Sequence, residues 1–375
     1  MIDSQNRGWD VRLVNLQEVL DPLDIFRKLF RIRLEDIYNQ ALKKGWTLGS
    51  EYLIPPMHAV IRLYHNAQVK LLSEFWRQRK PAMVVSLVPN FNRALYQSLA
   101  ASLPGVPFVT VLTDMADYPP HFWMERQPQH LICGTDRAVD QALGLGYERD
   151  HVFRVSGMIL RPQFYERVLV DRTVERSRLG LHPELPTGLV LFGGEGSPSV
   201  VEIVRQLGNS SQDLQLIVIC GRNARLRQRL ESLKLRNRLF VEGFTQAIPY
   251  YMQLADFFVG KPGPGSISEA IQMKLPVVVE RNAWTLPQER FNADWIEQQR
   301  VGVVLKSFRQ IAPAVQNLLS SNELGDMRER AAGIENRAVF EIPEILSGLL
   351  DERWRGHDSV TASQVSPVPS SPAPE

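Results

Sequence analysis

The chain has 375 residues, 44% of them hydrophobic and 22% charged, which is ordinary for a soluble globular protein and enough for two domains with separate cores. Its net charge of +2 (43 Lys+Arg against 41 Asp+Glu) argues against a nucleic-acid-binding protein, so no nucleic acid is expected as a partner. The two cysteines, Cys133 and Cys220, match no metal or redox spacing and favour a reducing compartment.

The hydropathy of the chain predicts a protein without a membrane-spanning segment. No apolar run approaches the ~18 residues of a transmembrane helix, and the N-terminus has no signal-peptide pattern. We therefore expect a protein that is cytosolic or bound peripherally to the cytoplasmic side of a membrane.

The first half of the chain alternates short apolar runs with helical patterns. This rhythm is typical of a parallel sheet with crossover helices. Strands are predicted at residues 9–15, 83–88, 108–112, 130–134 and 152–155, and helices at 22–80, 94–103 and 136–145. We expect residues 1–165 to form a Rossmann-like domain.

Residues 22–80 are rich in basic side chains, which the chain as a whole is not. Aromatic and aliphatic residues lie among them, for example in Ile25-Phe-Arg-Lys-Leu-Phe-Arg31. Basic amphipathic helices can bind an anionic membrane surface, and we predict that role here. The alternative is a plain surface helix with a solvated charged face, since Glu35 and Asp36 interrupt the basic run.

The second half repeats the rhythm more clearly and predicts a second Rossmann-like domain at residues 166–355. Its strands are predicted at 189–192, 216–220, 240–242, 256–260 and 275–279, each followed by Gly, Arg, Asn or acidic residues. After about residue 355 the chain is rich in Ser, Pro and Ala, so we expect 356–375 to be a disordered tail.

The loop that follows the predicted strand 256–260 has the composition of a phosphate-binding turn. Gly263 and Gly265 flank Pro264, and Gly allows a bulky anion to approach the backbone. A helix predicted at residues 267–274 would direct free N–H groups at that anion. A purely structural alternative exists, because Ser266 and Glu269 also fit a capping box with Ser266 as N-cap.

A second glycine-rich loop, Gly193-Gly-Glu-Gly196, follows the first strand of this domain, with Ser197 and Pro198 predicted to open a helix. Its spacing is not the dinucleotide fingerprint, and no Walker-type loop is present. One helix terminus offers an anion only ~0.3–1 kcal/mol. Two such termini, with Arg222 nearby, would hold a diphosphate and stabilise it as a leaving group without a metal.

The run Gln288-Glu-Arg-Phe-Asn292 follows the strand that ends near residue 279. Adjacent amide and carboxylate groups suit hydrogen bonds to vicinal sugar hydroxyls. The alternative is the polar start of a helix.

Together these motifs resemble the monogalactosyldiacylglycerol synthases and the related processive diacylglycerol glucosyltransferases, and more distantly the peptidoglycan N-acetylglucosaminyltransferase that makes lipid II. The resemblance covers roughly residues 9–350 and is carried by residues 193–196, 220–223, 243–244, 261–270 and 288–292. It implies an α/β protein of the GT-B fold, with two Rossmann-like domains facing across a cleft. It also implies an inverting, metal-independent glycosyltransferase that moves a hexose, galactose or glucose, from a UDP-sugar to a lipid acceptor such as diacylglycerol in glycolipid synthesis, with no cofactor.

Carried onto this chain, the resemblance places Gly194 and Gly196 at the diphosphate, Glu269 at the ribose and Phe244 beside the uracil. It places Gln288 and Glu289 at the hexose. The predicted donor-binding residues are Gly193, Gly194, Glu195, Gly196, Arg222, Asn223, Gly243, Phe244, Lys261, Pro264, Gly265, Ser266, Glu269, Gln288, Glu289 and Asn292. No metal-ligating residues are predicted.

The chain departs from the family at the catalytic base. The family opens with a strand and a glycine-rich loop ending in His, and it carries a second His where this chain has Val88. Either about 25 residues precede Met1 in the natural protein, a strand, turn and helix at ordinary lengths, or the base comes from Asp114, Asp117 or His121. Two other functions stay open: a UDP-sugar 2-epimerase of similar architecture, and a sugar-nucleotide-binding module without turnover.

Overall fold

The computed structural model describes residues 7–21, 63–166 and 170–362, with side chains described up to residue 351. In these ranges the chain forms two parallel sheets, each flanked by helices, as the sequence predicts. Residues 22–62 of the predicted basic segment 22–80 lie outside the described residues, and so does the end of the predicted tail, 363–375.

The first sheet has four parallel strands in the order β1-β2-β3-β4. They are β1 Val84–Ser86, β2 Phe108–Val111, β3 His130–Cys133 and β4 Val152–Arg154. The accompanying helices are α1 Leu16–Leu20, α2 His65–Arg79, α3 Asn92–Ser102 and α4 Asp136–Gly144. Thr135 caps α4 because its side chain accepts a hydrogen bond from the N–H of Ala138.

The strand predicted at residues 9–15 is wrong. Among the residues that the structure describes, this segment has no strand partner, and its apolar side chains, including Val11 and Leu13, are exposed. The side chain of Asn15 instead accepts from the N–H of Gln17 and caps α1. Alternation of apolar and polar residues is consistent with a strand, but without a neighbouring strand its backbone groups have no ladder to join.

The second sheet has six parallel strands in the order β10-β9-β8-β5-β6-β7. They are β5 Thr187–Leu191, β6 Gln215–Ile219, β7 Arg238–Glu242, β8 Phe257–Gly260, β9 Val277–Glu280 and β10 Gly302–Leu305. Its helices are α5 Arg172–Arg178, α6 Ser199–Gly208, α7 Ala224–Glu231, α8 Ile248–Leu254, α9 Pro264–Gln272, α10 Pro287–Gln299, α11 Ile311–Ser320 and α12 Glu323–Gly333.

Helices cover both faces of the second sheet. Leu189 and Leu191 of β5 belong to one buried cluster, whereas Val190 between them belongs to the other. Successive strand residues point to opposite faces, so a strand buried on both sides reads as a continuous apolar run. Strand order reverses beside β5, which lies between β6 and β8. A crevice for ligands is expected there, outside the carboxyl ends of the strands.

The last helix, α13 Ala338–Ala362, returns to the first sheet. Ala338 and Ile342 pack in one cluster with Val109 and Ile132 of that sheet. We had assigned this segment to the second domain and residues beyond 355 to the tail, but the helix runs past that boundary. Its apolar residues find their partners on the first sheet, a distant pairing that local sequence pattern does not reveal.

Candidate active site

The carboxyl ends of β5, β6, β7, β8 and β9 bring the predicted donor-binding loops to one edge of the second sheet. All six strands are parallel, so their following loops gather at the same edge. The first domain faces this edge with the loop that follows β2, residues 112–129, which carries all three predicted catalytic residues.

The loops after β5 and β6 are interlocked. The N–H of Arg222 donates to the carbonyl oxygen of Gly194 at 2.7 Å. A Cβ on Gly221, whose φ is +60°, would lie 2.1 Å from that same oxygen, so only glycine fits there. Open space lies above Gly193 and Gly194, where a Cβ would meet no atom within 4 Å. This backbone is uncrowded, which is compatible with the close approach of an anion that the sequence predicts.

The side chain of Asn223 links these two loops by hydrogen bonds. Its Oδ1 accepts from the N–H of Leu226 at 3.0 Å, and its Nδ2 donates to the carbonyl oxygen of Glu195 at 3.2 Å. Both ends of the amide are thus engaged, so Asn223 is the N-cap of α7 and a loop tie. Asn223 is only half-buried and its Nδ2 carries a second hydrogen, so its predicted donor contact stays a prediction beside this structural role.

The capping-box interpretation of Ser266 is also wrong. Helix α9 begins at Pro264, with Gly263 as N-cap, so Ser266 lies inside the first turn. Its hydroxyl donates back to the carbonyl oxygen of Gly263 at 3.2 Å. Helix α6 likewise begins at Ser199, later than predicted. First-turn N–H groups have no acceptor within a helix, and Gly265 and Ser266 lie in the first turn of α9, directly after the loop that follows β8.

Glu269 is half-buried on α9 and carries no capping hydrogen bond. Burial raises the pKa of its carboxyl group, and the nearby Arg161 lowers it. The guanidinium of Arg161 lies 3.7 Å from Oε1 of Glu269 and belongs to the segment that connects the two sheets. The ion pair with Arg161 is thus the structural role that stands beside the predicted ribose contact of Glu269, which stays a prediction.

Helix α10 presents Gln288 and Glu289 in its first turn, next to the α9 loop. A Cβ on Gly263 would lie 3.7 Å from Oε1 of Glu289. Burial raises the pKa of Glu289 to about 7; the charge of Asp114 adds to this, and Lys261 opposes it. Asp114 belongs to the first domain, so its charge acts on Glu289 across the cleft.

Asn292, in contrast, is fully buried at 0% exposure. Its Nδ2 donates to the carbonyl oxygen of Pro262 at 2.8 Å and ties α10 to the loop after β8. A side chain with no exposed surface cannot contact a sugar, so the predicted donor contact of Asn292 is corrected to a support of the loop.

Phe244 and Arg222 form the remaining part of the predicted donor site. The guanidinium of Arg222 lies 4.3 Å from the centre of the Phe244 ring, and the ring is 53% exposed. An exposed aromatic face beside a cation offers a stacking surface for a planar base. The uracil position implied by the resemblance is compatible with this arrangement and stays a prediction.

The three predicted catalytic candidates are not equivalent. Asp117 is 2% exposed, and its two carboxylate oxygens accept from the N–H groups of Trp123 at 2.6 Å and His121 at 3.0 Å. Because both oxygens of this buried carboxylate accept hydrogen bonds from the backbone, Asp117 holds its loop together and is not free to act as a base. His121 is exposed, and its backbone adopts the left-handed conformation with φ of +65°.

Asp114 is the candidate that keeps a free oxygen. Its Oδ2 accepts from the indole N–H of Trp123 at 2.9 Å, and no described residue donates to its other oxygen. Burial raises the pKa of Asp114, the Trp123 hydrogen bond lowers it, and the charge of Asp117 raises it further. The sequence analysis missed Trp123, because an apolar residue nine positions away gives no signal of a bond to a carboxylate.

The loop after β2 also touches the second domain. The rings of Tyr118 and Phe291 lie 6.2 Å apart, and Phe291 belongs to α10. Asp114 and the first turn of α10 thus face each other beside a direct contact between the domains.

Two further findings concern metals and membranes. Within 7–21, 63–166 and 170–351, the one group of three side chains spaced for a metal is Glu148, Asp150 and His151. It precedes β4, at the sheet edge opposite the cleft. Among the helices that the structure describes, none has the length and apolar character needed to cross a bilayer.

Sequence comparison finds plant relatives that cover most of the chain. A probable monogalactosyldiacylglycerol synthase 3 of Oryza sativa subsp. japonica is 30% identical over 96% of this chain and 76% of the relative. The corresponding synthase 2 of the same plant is 33% identical over 85% of this chain and 75% of the relative. No family model matches the chain.

Structural comparison confirms the predicted GT-B fold. Acinetobacter baumannii MurG has a TM-score of 0.53 at 12% identity over 76% of this chain and 77% of MurG. Anabaena HepE, solved with UDP-glucose, has a TM-score of 0.50 at 18% identity, over 75% of this chain and 82% of HepE. A Neisseria meningitidis UDP-GlcNAc 2-epimerase reaches 0.51 at 14% identity, over 78% of this chain and 82% of the epimerase. The fold alone therefore does not separate the transferase from the epimerase.

Proposed function

Because the chain belongs to the monogalactosyldiacylglycerol synthase family, we propose that it is a glycosyltransferase that moves galactose from UDP-galactose to diacylglycerol. The relatives of at least 30% identity are named as synthases of this kind, which favours the transferase over the epimerase. The sequence motifs do not distinguish glucose from galactose as the transferred hexose, and the names of the relatives favour galactose.

The observation that carries the donor assignment is the pair of loops after β5 and β8. One offers the uncrowded backbone of Gly193 and Gly194, and the other offers the first-turn N–H groups of α9 beside Lys261. Together they supply hydrogen-bond donors and positive charge for a diphosphate. Glu269 binds the ribose, and Gln288 and Glu289 bind the hexose hydroxyls.

The reaction is an in-line displacement with inversion. Asp114 takes the proton from the acceptor hydroxyl as that oxygen attacks the anomeric carbon. The bond from this carbon to the phosphate oxygen breaks, and UDP leaves toward α9. Lys261, Arg222 and the helix terminus stabilise the departing charge, so no metal is required.

The protein works as a peripheral membrane protein on the cytoplasmic side, held by the basic helices within residues 22–80.

The test uses UDP-galactose and diacylglycerol in vesicles, with mass-spectrometric detection of the glycolipid. Asp114→Asn should keep the Kd for UDP-galactose and lower kcat about 10²–10⁴-fold, the usual contribution of a general base. Binding without transfer by the unmodified chain would instead support the module without turnover. Formation of an epimerised UDP-sugar would support the epimerase.

A further inference from the structure

The loop that follows β2 is folded around the buried carboxylate of Asp117. Besides the bonds from Trp123 and His121, the side chain of Gln141 on α4 pairs with both backbone groups of Asp117. The N–H of Asp117 donates to Oε1 of Gln141 at 2.8 Å, and Nε2 of Gln141 donates to the carbonyl oxygen of Asp117 at 3.0 Å. These bonds fix the backbone of the loop on both sides of Tyr118.

Trp123 is fixed at both of its ends by this arrangement. Its backbone N–H is held by Asp117, and its ring, 2% exposed, packs with Leu112, Met124 and Leu131. A buried indole N–H needs an acceptor. It finds one in Oδ2 of Asp114, at 2.9 Å. The indole is therefore a rigid donor aimed at one oxygen of the carboxylate that faces the cleft.

We propose that Trp123 is a positioning residue for the transfer reaction, held by Asp117 and fixing the Asp114 carboxylate with its second oxygen turned toward the acceptor hydroxyl. This inference rests on the proposed role of Asp114 as general base. It adds a second layer of residues behind the base, which no motif in the sequence indicates.

The indole has two effects on the base. It restricts rotation of the carboxylate, so the free oxygen keeps a fixed direction and proton transfer begins from a defined geometry. It also favours the ionised form of Asp114, opposing the burial and the Asp117 charge that act the other way. Removing the N–H should therefore lower kcat and move the acid limb of the pH–rate profile upward.

The experiment compares Trp123→Phe with a matched control, Trp76→Phe. Trp76 is also a buried tryptophan of the first domain, but its indole N–H donates to the hydroxyl of Ser98 at 2.8 Å. Both variants lose an indole N–H and ring volume, so both should lose stability. Only Trp123→Phe should shift the acid limb of kcat/KM, by about one pH unit on the scale of a charged hydrogen bond.

Donor affinity gives the second readout. The described contacts of Trp123 lie within the first domain, so Trp123→Phe should leave the Kd for UDP unchanged while kcat falls about tenfold or more. An unshifted acid limb with a stable variant would overturn the proposal, as would an equal shift in Trp76→Phe. If Trp123→Phe does not fold, replacement of Trp123 by benzothienylalanine keeps the ring shape without the N–H and gives the same decision.

Asp114→Asn, measured in parallel, separates this proposal from the proposed function. If Asp114→Asn keeps full activity, Asp114 is not the base, and both proposals fail. If Asp114→Asn is inactive and Trp123→Phe has an unchanged profile, the base assignment stands and only the positioning role fails.

Discussion

Glu289 has a carboxyl group whose burial opposes folding. Burial and the charge of Asp114 raise its pKa from the ordinary 4.5 to about 7, although Lys261 acts in the opposite direction. Replacing Glu289 by Gln removes the charge and keeps the shape and an acceptor oxygen. We therefore expect Glu289→Gln to stabilise the protein without its donor.

The sign and size follow from the pKa. A carboxyl group whose folded-state pKa is raised costs nothing below its unfolded value of 4.5, because it is protonated in both states. The cost grows as the pH rises from 4.5 to about 7 and is complete above that. One pKa unit corresponds to ~1.36 kcal/mol, so the full effect is at most about 3.4 kcal/mol, and partial exposure and relaxation reduce it.

The assay is the melting temperature of the unliganded protein between pH 4.5 and 8.5. The gain in Tm from Glu289→Gln should be absent near pH 4.5 and largest above pH 7. Glu297→Gln is the matched control, because Glu297 lies on the same helix, α10, and is exposed. A gain in Tm that is independent of pH, or a loss of Tm at pH 8, would refute the assignment of a buried carboxylate whose charge opposes folding.

Four further outcomes test other parts of the molecule. Asp256→Ala should destabilise the fold by about 3–5 kcal/mol, measured by chemical denaturation. The buried guanidinium of Arg176 lies 2.7 Å from the Asp256 carboxylate, and the substitution leaves it without this ion pair. Despite burial, Arg172 and Arg176 hold the pKa of Asp256 below its usual value, so native stability should fall as the pH drops through that lowered pKa. Glu269→Gln should weaken UDP binding by about tenfold, the scale of a hydrogen bond to a charged group; an unchanged Kd from calorimetry would remove the ribose assignment. Transfer activity should survive EDTA, and its loss with recovery on adding manganese would contradict the metal-independent mechanism.

The local sequence pattern was sufficient to predict most of the strands and loops of the second domain. Runs such as Leu189–Phe192 are apolar throughout, as a strand buried on both faces must be, and the glycines that follow mark the loops. The pattern failed at residues 9–15, where alternation mimics a strand but no partner strand lies beside it. It failed again at Ser266, because Pro264 is pre-organised for the first helical position and starts α9 earlier than the serine suggested.

The functional roles were harder to predict, because residue type does not reveal which atoms are already engaged. Asn223, Asn292 and Asp117 have the chemistry of ligand-binding or catalytic residues. In the structure each makes at least one hydrogen bond that holds a loop, and Asn292 and Asp117 are buried. Hydrogen bonds of this kind join residues that are distant in sequence, such as Asn292 and Pro262, so they follow from the tertiary fold alone.

The two domains each contribute a carboxyl group to the site, so two like charges face each other across the cleft. The second domain holds its donor loops through bonds within itself, whereas the base lies on a first-domain loop that meets α10 through Tyr118 and Phe291. Bringing Asp114 toward Glu289 raises the pKa of Glu289, so approach of the domains has an electrostatic cost when both carboxylates are ionised. The hydroxyl groups of a bound hexose would donate hydrogen bonds to the Glu289 carboxylate and reduce that cost. Donor binding should therefore favour the approach that places Asp114 at the anomeric carbon, and Asp114→Asn should bind the donor at least as tightly as the unmodified chain.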